Sequence, residues 1–198
     1  AMAATMKANG GVLVVDEAFG DLEPDLSVAG HVGADDNLIV FRSFGKFFGL
    51  AGLRLGFVVA NGAVLDAFRD WLGPWAVSGP ALVISRALMS ADTGAIAAGI
   101  LDRRAGLDAV LDHAGLKRIG GTGLFVLVEH PDAGALHRHL CEARILTRKF
   151  DYDPRWLRIG LAPDAEGDQR LADALRRGDA LRAGDALRPG DVFRPGEC

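Results

Sequence analysis

The stretch Ser43-Phe-Gly-Lys46-Phe-Phe-Gly-Leu-Ala-Gly-Leu-Arg54-Leu-Gly56 constrains this chain most, because it sets one hydroxyl, one lysine and one arginine among glycines and large apolar residues. That mixture suits a site rather than a core, since glycines permit tight turns and cationic side chains resist full burial. Short apolar runs bracket it, Leu38-Ile-Val-Phe41 before and Leu55-Gly-Phe-Val-Val-Ala60 after, and both predict buried strands. The polar residues therefore fall where strands end, which is where open α/β sheets bind ligands. Lys46, set among Phe44, Phe47, Phe48 and Leu50, is expected to be partly desolvated. Desolvation disfavours the ammonium form and makes the amine a nucleophile able to form Schiff bases. Ser43 and Arg54 offer a neutral donor and a guanidinium fork, a pair suited to a phosphate group. The alternative for this stretch is a glycine-rich turn carrying an exposed lysine.

A second stretch favours the site. Gly11-Val-Leu-Val-Val-Asp16-Glu17-Ala18-Phe19 is a continuous apolar run ending in two acids, the pattern of a parallel strand with carboxylates at its C-terminal tip. Asp-Glu-Ala-Phe at a strand end, then Ser-x-x-Lys, then Lys-x7-Arg-x-Gly, resembles the fold-type I pyridoxal-phosphate (PLP) enzymes of the aminotransferase class I/II group. Within that group the resemblance is strongest to the branch that decarboxylates threonine phosphate in cobalamin biosynthesis. The aminotransferases acting on histidinol phosphate come next.

The resemblance implies that Lys46 is the Schiff-base lysine, that Asp16 pairs with the pyridinium nitrogen, and that Ser43 and Arg54 hold the cofactor phosphate. Each role has an independent physical sense. A carboxylate beside the ring nitrogen keeps it protonated and makes the ring an electron sink. The lysine, once displaced by substrate, is the nearest group to move a proton at the substrate α-carbon. One departure stands out: Phe19 occupies a position where aminotransferases of the group usually carry tyrosine, whose hydroxyl bonds the cofactor's ring oxygen. Phe19 cannot make that bond, and the departure favours decarboxylation over transamination.

Composition sets outer limits. With 198 residues, 49% hydrophobic and 24% charged at a net charge of −4, the chain can bury a core and presents no single-sign field suited to nucleic acid. Its apolar runs are far shorter than the roughly 20 residues of a membrane span, and residues 1–10 lack the pattern of a signal peptide, so a cytoplasmic protein is expected. Cys141 and Cys198 show no partner spacing for a disulfide. His137, His139 and Cys141 alternate along a predicted helix, where residues two apart do not share a face, so no metal site is expected there.

Downstream the pattern turns helical, with segments at Gly62–Trp71, Ala81–Met89 and Ile96–His113, and a turn over Trp75–Pro80. Strands are then expected at Leu116–Ile119, Leu124–Val128, Ile145–Arg148 and Leu157–Leu161 around a helix from Ala133 to Ala143, with a last helix from Asp164 to about Arg176. The fold class is thus α/β. A partial PLP-binding domain with its connecting helices spans 1–114, a small α+β domain 115–177 and a six-residue-repeat tail 178–198, expected to be mobile. In the family, the small domain closes over the substrate. By resemblance Arg158 grips the substrate α-carboxylate and Arg148 is the candidate for the phosphate of a phosphorylated amino-acid substrate; taken alone, an arginine on a short strand is more often a surface ion pair than a ligand, and only the motif context reverses that for Arg158. Family members also build their sites at a homodimer interface.

The resemblance covers residues 10–177 and only the later part of the family pattern. The family's glycine-containing phosphate loop, ring-stacking aromatic and asparagine all precede the strand that holds Asp16. The sequence therefore predicts a truncated product with weak or no activity by itself, an inactive scaffold or a partner-dependent subunit being the reading from another class. A further reading, an acyl enzyme using Ser43-x-x-Lys46, needs Ser-Asp-Asn and Lys-Thr-Gly elements, and neither string occurs.

Overall fold

The computed structural model describes residues 1–33 and 37–179. The chain divides into two compact units, Ala1–Ala98 and Gly99–Cys198. The division falls inside a long helix, whereas the sequence reading puts it after that helix, at 114/115.

The first unit opens with helix α1 (Met2–Ala8), which the sequence reading did not anticipate, and continues into strand β1 (Leu13–Asp16). Three single-turn 3-10 segments, Gly20–Leu22, Pro24–Leu26 and Ala29–His31, then lead towards β2 (Leu38–Ser43), with β3 at Gly56–Val59. β1 and β2 run parallel with Leu13 opposite Leu38 and Asp16 opposite Phe41; β3 returns antiparallel with Ser43 opposite Gly56. The order is β1-β2-β3, so β2 is central and contributes the buried Leu38 and Val40. Helices α2 (Gly62–Leu72) and α3 (Gly79–Met89) follow. Asn61 caps α2 by accepting from the Val64 amide at 3.0 Å, and Ser78 caps α3 by accepting from Ala81 at 3.4 Å. Gly79 and Pro80, read from sequence as turn, are therefore already helical, as the tolerance of proline in a first helical turn allows.

Helix α4 (Gly94–His113) runs from the first unit into the second. The second unit adds β4 (Lys117–Thr122), β5 (Phe125–Glu129), α5 (Ala133–Glu142), β6 (Arg148–Lys149), β7 (Trp156–Gly160) and α6 (Ala165–Asp179). Its sheet is antiparallel throughout, in the order β4-β5-β7-β6. Alternation along β5 and β7 buries Val126, Val128, Leu157 and Ile159 on one face. Against it pack Leu107 and Leu111 of α4, Leu140 of α5, and Leu171, Ala174 and Leu175 of α6, at the spacings that put residues on one helical face.

The strand expected at 145–148 is reduced to two residues, Arg148 and Lys149. The Ile145 amide is committed instead to closing α5, donating to the Leu140 carbonyl at 2.8 Å around Arg144, whose φ is +59°. The final helix extends past Arg177 to Asp179, and the rest of the repeat tail lies outside the described residues. Among the described residues, no single helix is long and apolar enough to cross a membrane.

Candidate active site

The first unit gathers five of the sequence-selected residues at one end of its sheet. Because β1 and β2 are parallel, Asp16 at the tip of β1 and Ser43 at the tip of β2 lie along the same edge. Antiparallel return of β3 places Gly56 opposite Ser43, so Arg54 enters that edge two residues earlier. Lys46 sits on the turn between the two strands.

Two glycines permit this crowding. A Cβ on Gly45 would meet the Ala51 Cα at 3.2 Å and the Ser43 Oγ at 3.3 Å, and one on Gly56 would meet the Arg42 carbonyl oxygen at 3.0 Å. The Ser43 hydroxyl accepts from the Gly45 amide at 3.0 Å, which leaves its hydrogen to be donated elsewhere. Arg54 has φ +52°, a left-handed conformation that a residue with a Cβ adopts at a cost, and such outliers cluster at ligand sites. Its Nη1 donates to the Ala51 carbonyl at 3.2 Å, holding the guanidinium over its own turn.

Lys46 departs from expectation. It is exposed, not desolvated, because the aromatic residues around it turn inward and pack on each other. Phe44 and Phe47 are buried, Phe44 stacks on Phe48 with centroids 4.8 Å apart, and Phe47 meets Phe48 edge-on at 5.1 Å. The ammonium is left outside over the Phe19 ring, 5.4 Å from its centroid. Among the described residues no hydrogen bond joins Lys46 to Ser43, the contact an acyl enzyme would need.

Asp16 is exposed and its Oδ1 accepts from the Ala18 amide at 2.9 Å. The adjacent Glu17 is its opposite in burial and in charge pairing. It is buried and accepts from the Ser27 hydroxyl at 2.7 Å, the Val28 amide at 2.7 Å and Arg42 at 3.1 Å. Burial pulls its carboxyl upward, but the Ser27, Val28 and Arg42 interactions together outweigh this and hold it below the usual carboxylate range. Arg42 also donates to Asp21 at 2.8 Å. Sequence reading passed over Glu17 and Arg42; the available signal was a charged residue beside a site residue at the end of each parallel strand.

Arg148 and Arg158 belong to the second unit. They are directly opposite each other on β6 and β7. Like charges in such register repel unless an anion lies between them, so the pair makes an anion-seeking surface. Arg158 is half-buried over the Phe125 ring at 4.8 Å, and Arg148 stacks on Phe150 at 5.5 Å. Burial, with Arg148 adding to it, draws the Arg158 guanidinium below its ordinary value. His137 and His139 diverge: His137 Nδ1 lies 2.8 Å from the Thr147 hydroxyl, while His139 Nε2 meets the Ala174 carbonyl at 2.8 Å.

Known proteins resemble this chain over most of its length. The chain is 77% identical over 177 residues to a threonine-phosphate decarboxylase of Sinorhizobium sp, covering 89% of this chain and 53% of the relative. Identity to the threonine-phosphate decarboxylase of Pseudomonas aeruginosa is 39% over 174 residues, covering 87% of this chain and 52% of that one. In structure the chain resembles histidinol-phosphate aminotransferase from Sinorhizobium meliloti in complex with pyridoxal 5′-phosphate, at TM-score 0.73 and 27% identity over 92% of this chain and 53% of that one. The chain thus spans about half the length of the curated relatives it matches. The family model for aminotransferase class I and II matches residues 1–175, and the chain belongs to that family.

Proposed function

We propose that the protein is a PLP-dependent carboxy-lyase that converts L-threonine O-3-phosphate to aminopropanol phosphate in cobalamin biosynthesis. The 77% identity to a threonine-phosphate decarboxylase is the observation that carries this reading. The donor set suits the cofactor. The Ser43 hydroxyl and the Arg54 guanidinium would hold its phosphate, the Asp16 carboxylate its ring nitrogen and the Lys46 amine its aldehyde, while Phe19 offers a ring face beside that amine. When bound, PLP supplies an electron sink for the charge left on the substrate α-carbon.

The protein's own groups then have distinct tasks. Arg158 takes the substrate α-carboxylate in a bidentate grip, and Arg148 takes the substrate phosphate. The orientation in which Arg158 holds the carboxylate would select which bond at the α-carbon breaks. In the decarboxylase reading the carboxylate would leave as carbon dioxide and Lys46 would return a proton to the α-carbon. Were Lys46 to take the α-proton instead, the outcome would be that of an aminotransferase. Phe19, lacking a phenol, favours the first. We read the protein as cytoplasmic and homodimeric, the latter open to a light-scattering mass.

The test is an absorbance spectrum of the purified protein with added PLP, before and after borohydride, beside Lys46→Ala. A band that borohydride fixes to wild type and not to the variant is expected, followed by carbon dioxide release from threonine phosphate. Arg148→Ala should then lose the preference for phosphorylated over plain substrate. No fixed band in wild type would favour an inactive or partner-dependent scaffold.

A further inference from the structure

The first unit holds a charged network that the site chemistry does not use. Glu17 lies one residue after Asp16, and Arg42 one residue before Ser43. The backbone pairs them. The Glu17 amide donates to the Phe41 carbonyl at 2.8 Å, so the parallel ladder runs one step past Asp16 and brings Glu17 beside Arg42. Alternation along a strand turns neighbouring side chains to opposite faces, so this pair sits behind the edge that carries Asp16 and Ser43.

We propose that Glu17 and Arg42 are positioning residues, whose ion pair locks the tips of β1 and β2 and thereby fixes Asp16 and Ser43 relative to each other. The inference rests on the reading of those two residues as cofactor ligands. Its physical basis is the way the pair is built. Glu17 retains 8% side-chain exposure and Arg42 28%, and both carboxylate oxygens are used, Oε1 by the Val28 amide and Oε2 by Ser27 and Arg42. A pair between two exposed groups would be loose and weak, whereas a half-buried arginine on a buried carboxylate whose two oxygens are both used is held in a narrow geometry and penalises its loss. The same carboxylate also closes the 17–28 segment back onto the strand tip, since Ser27 and Val28 both donate to it while the Gly20 amide caps the Glu17 carbonyl at 2.9 Å. Arg42 extends the network through Asp21, so three charged groups tie β1, β2 and the segment between them.

Glu17→Gln keeps the shape and an acceptor for Val28 or Ser27 but removes the charge. Arg42→Met removes the partner, and Arg42→Lys keeps the charge while losing the fork. Two readouts separate the inference from the reading beneath it. The first is amide hydrogen exchange at Glu17, Ala18 and Gly45 in the protein without cofactor; the second is the dissociation constant for PLP. Either single variant is expected to speed exchange at those amides about 10-fold, with Val40 and the second-unit amides unchanged, and to weaken PLP binding by a similar factor. The double variant should be no worse than the poorer single one, and Arg42→Lys should fall between wild type and Arg42→Met. Exchange that does not change at these amides, or that rises evenly through the unit, overturns the positioning role. Faster local exchange in a protein that binds no PLP would leave the positioning role standing and remove the cofactor reading instead.

Discussion

The two units solve the problem of burial differently. In the second, four antiparallel strands and three helices close around one cluster in which Leu107, Leu111, Val126, Val128, Leu140 and Leu157 are all fully buried. In the first, the buried apolar side chains among the described residues are Leu38, Val40, Phe44, Phe47, Leu55 and Ala81, while Trp75 is 90% exposed, Trp71 78% and Val83 and Met89 each 71%. Apolar side chains left open to this extent add little to the stability of the unit that carries them. The unit with the open apolar surface also carries the proposed cofactor residues. The closed one carries the arginine pair. A site at the tip of a small sheet borrows rigidity from local devices such as the Glu17–Arg42 pair, whereas the arginines of β6 and β7 stand on a packed core.

The sharpest way to test that contrast is by truncation. Leu140→Ala empties a fully buried position and should cost about 3 kcal/mol, read by urea denaturation, whereas Trp75→Ala should stay within about 0.5 kcal/mol. A comparable loss for Trp75→Ala would mean that the first unit's apolar surface is covered in solution, and the contrast would fail.

Acidity should separate the units next. His137 is held below its ordinary value of 6.5, first by burial and then by Lys149 and Arg138. Glu17 is held below 4.5. Both folded values are depressed, so in each case the unfolded chain binds protons more readily. The associated stability is complete above the unfolded value and is lost as pH falls towards the folded one. The second unit should therefore begin to weaken below about pH 6.5 and the first only below about pH 4.5. Thermal unfolding followed across this range, with His137→Gln flattening the upper step, checks the order; simultaneous weakening of both units would break it.

The smallest effect lies within the second unit, at two helix ends of one design. After α4, Gly115 takes φ +65° while the Leu116 amide returns to the Leu111 carbonyl at 3.0 Å. After α5, Arg144 takes φ +59° with the same closure from Ile145 to Leu140. Glycine pays nothing for this conformation and arginine does, so Arg144→Gly should stabilise by about 0.5–1 kcal/mol and Gly115→Ala should destabilise by about 1 kcal/mol. No gain from Arg144→Gly would show that the Arg144 side chain compensates for its own backbone.

The gathering of the candidate site residues at one sheet edge was legible from local spacing. Lys46, Ser43, Arg54 and Asp16 stand out because cationic and acidic residues between apolar runs have few structural uses, and strand ends gather them at one edge. Period and breakers likewise located α2 to α6 to within a few residues. What failed did so where one residue had two competing demands. Ile145 was read as strand from its apolar neighbours, yet its amide was needed to finish α5. Lys46 was read as desolvated from the phenylalanines around it, yet those rings pack on each other. Sequence neighbours are not spatial neighbours when consecutive side chains point in opposite directions.

By itself, then, the sequence determined the α/β class and the order of most elements and nominated the residues of the candidate site, because these depend on short-range periodicity and on residue type. Only the tertiary structure decided which acid is held and which is offered. Glu17 is separated from Arg42 by 25 residues, and their pairing exists only because β1 and β2 run parallel in a register that sets Asp16 against Phe41. That same register leaves Asp16 exposed at the sheet tip, since alternation along a strand cannot bury two successive side chains on one face.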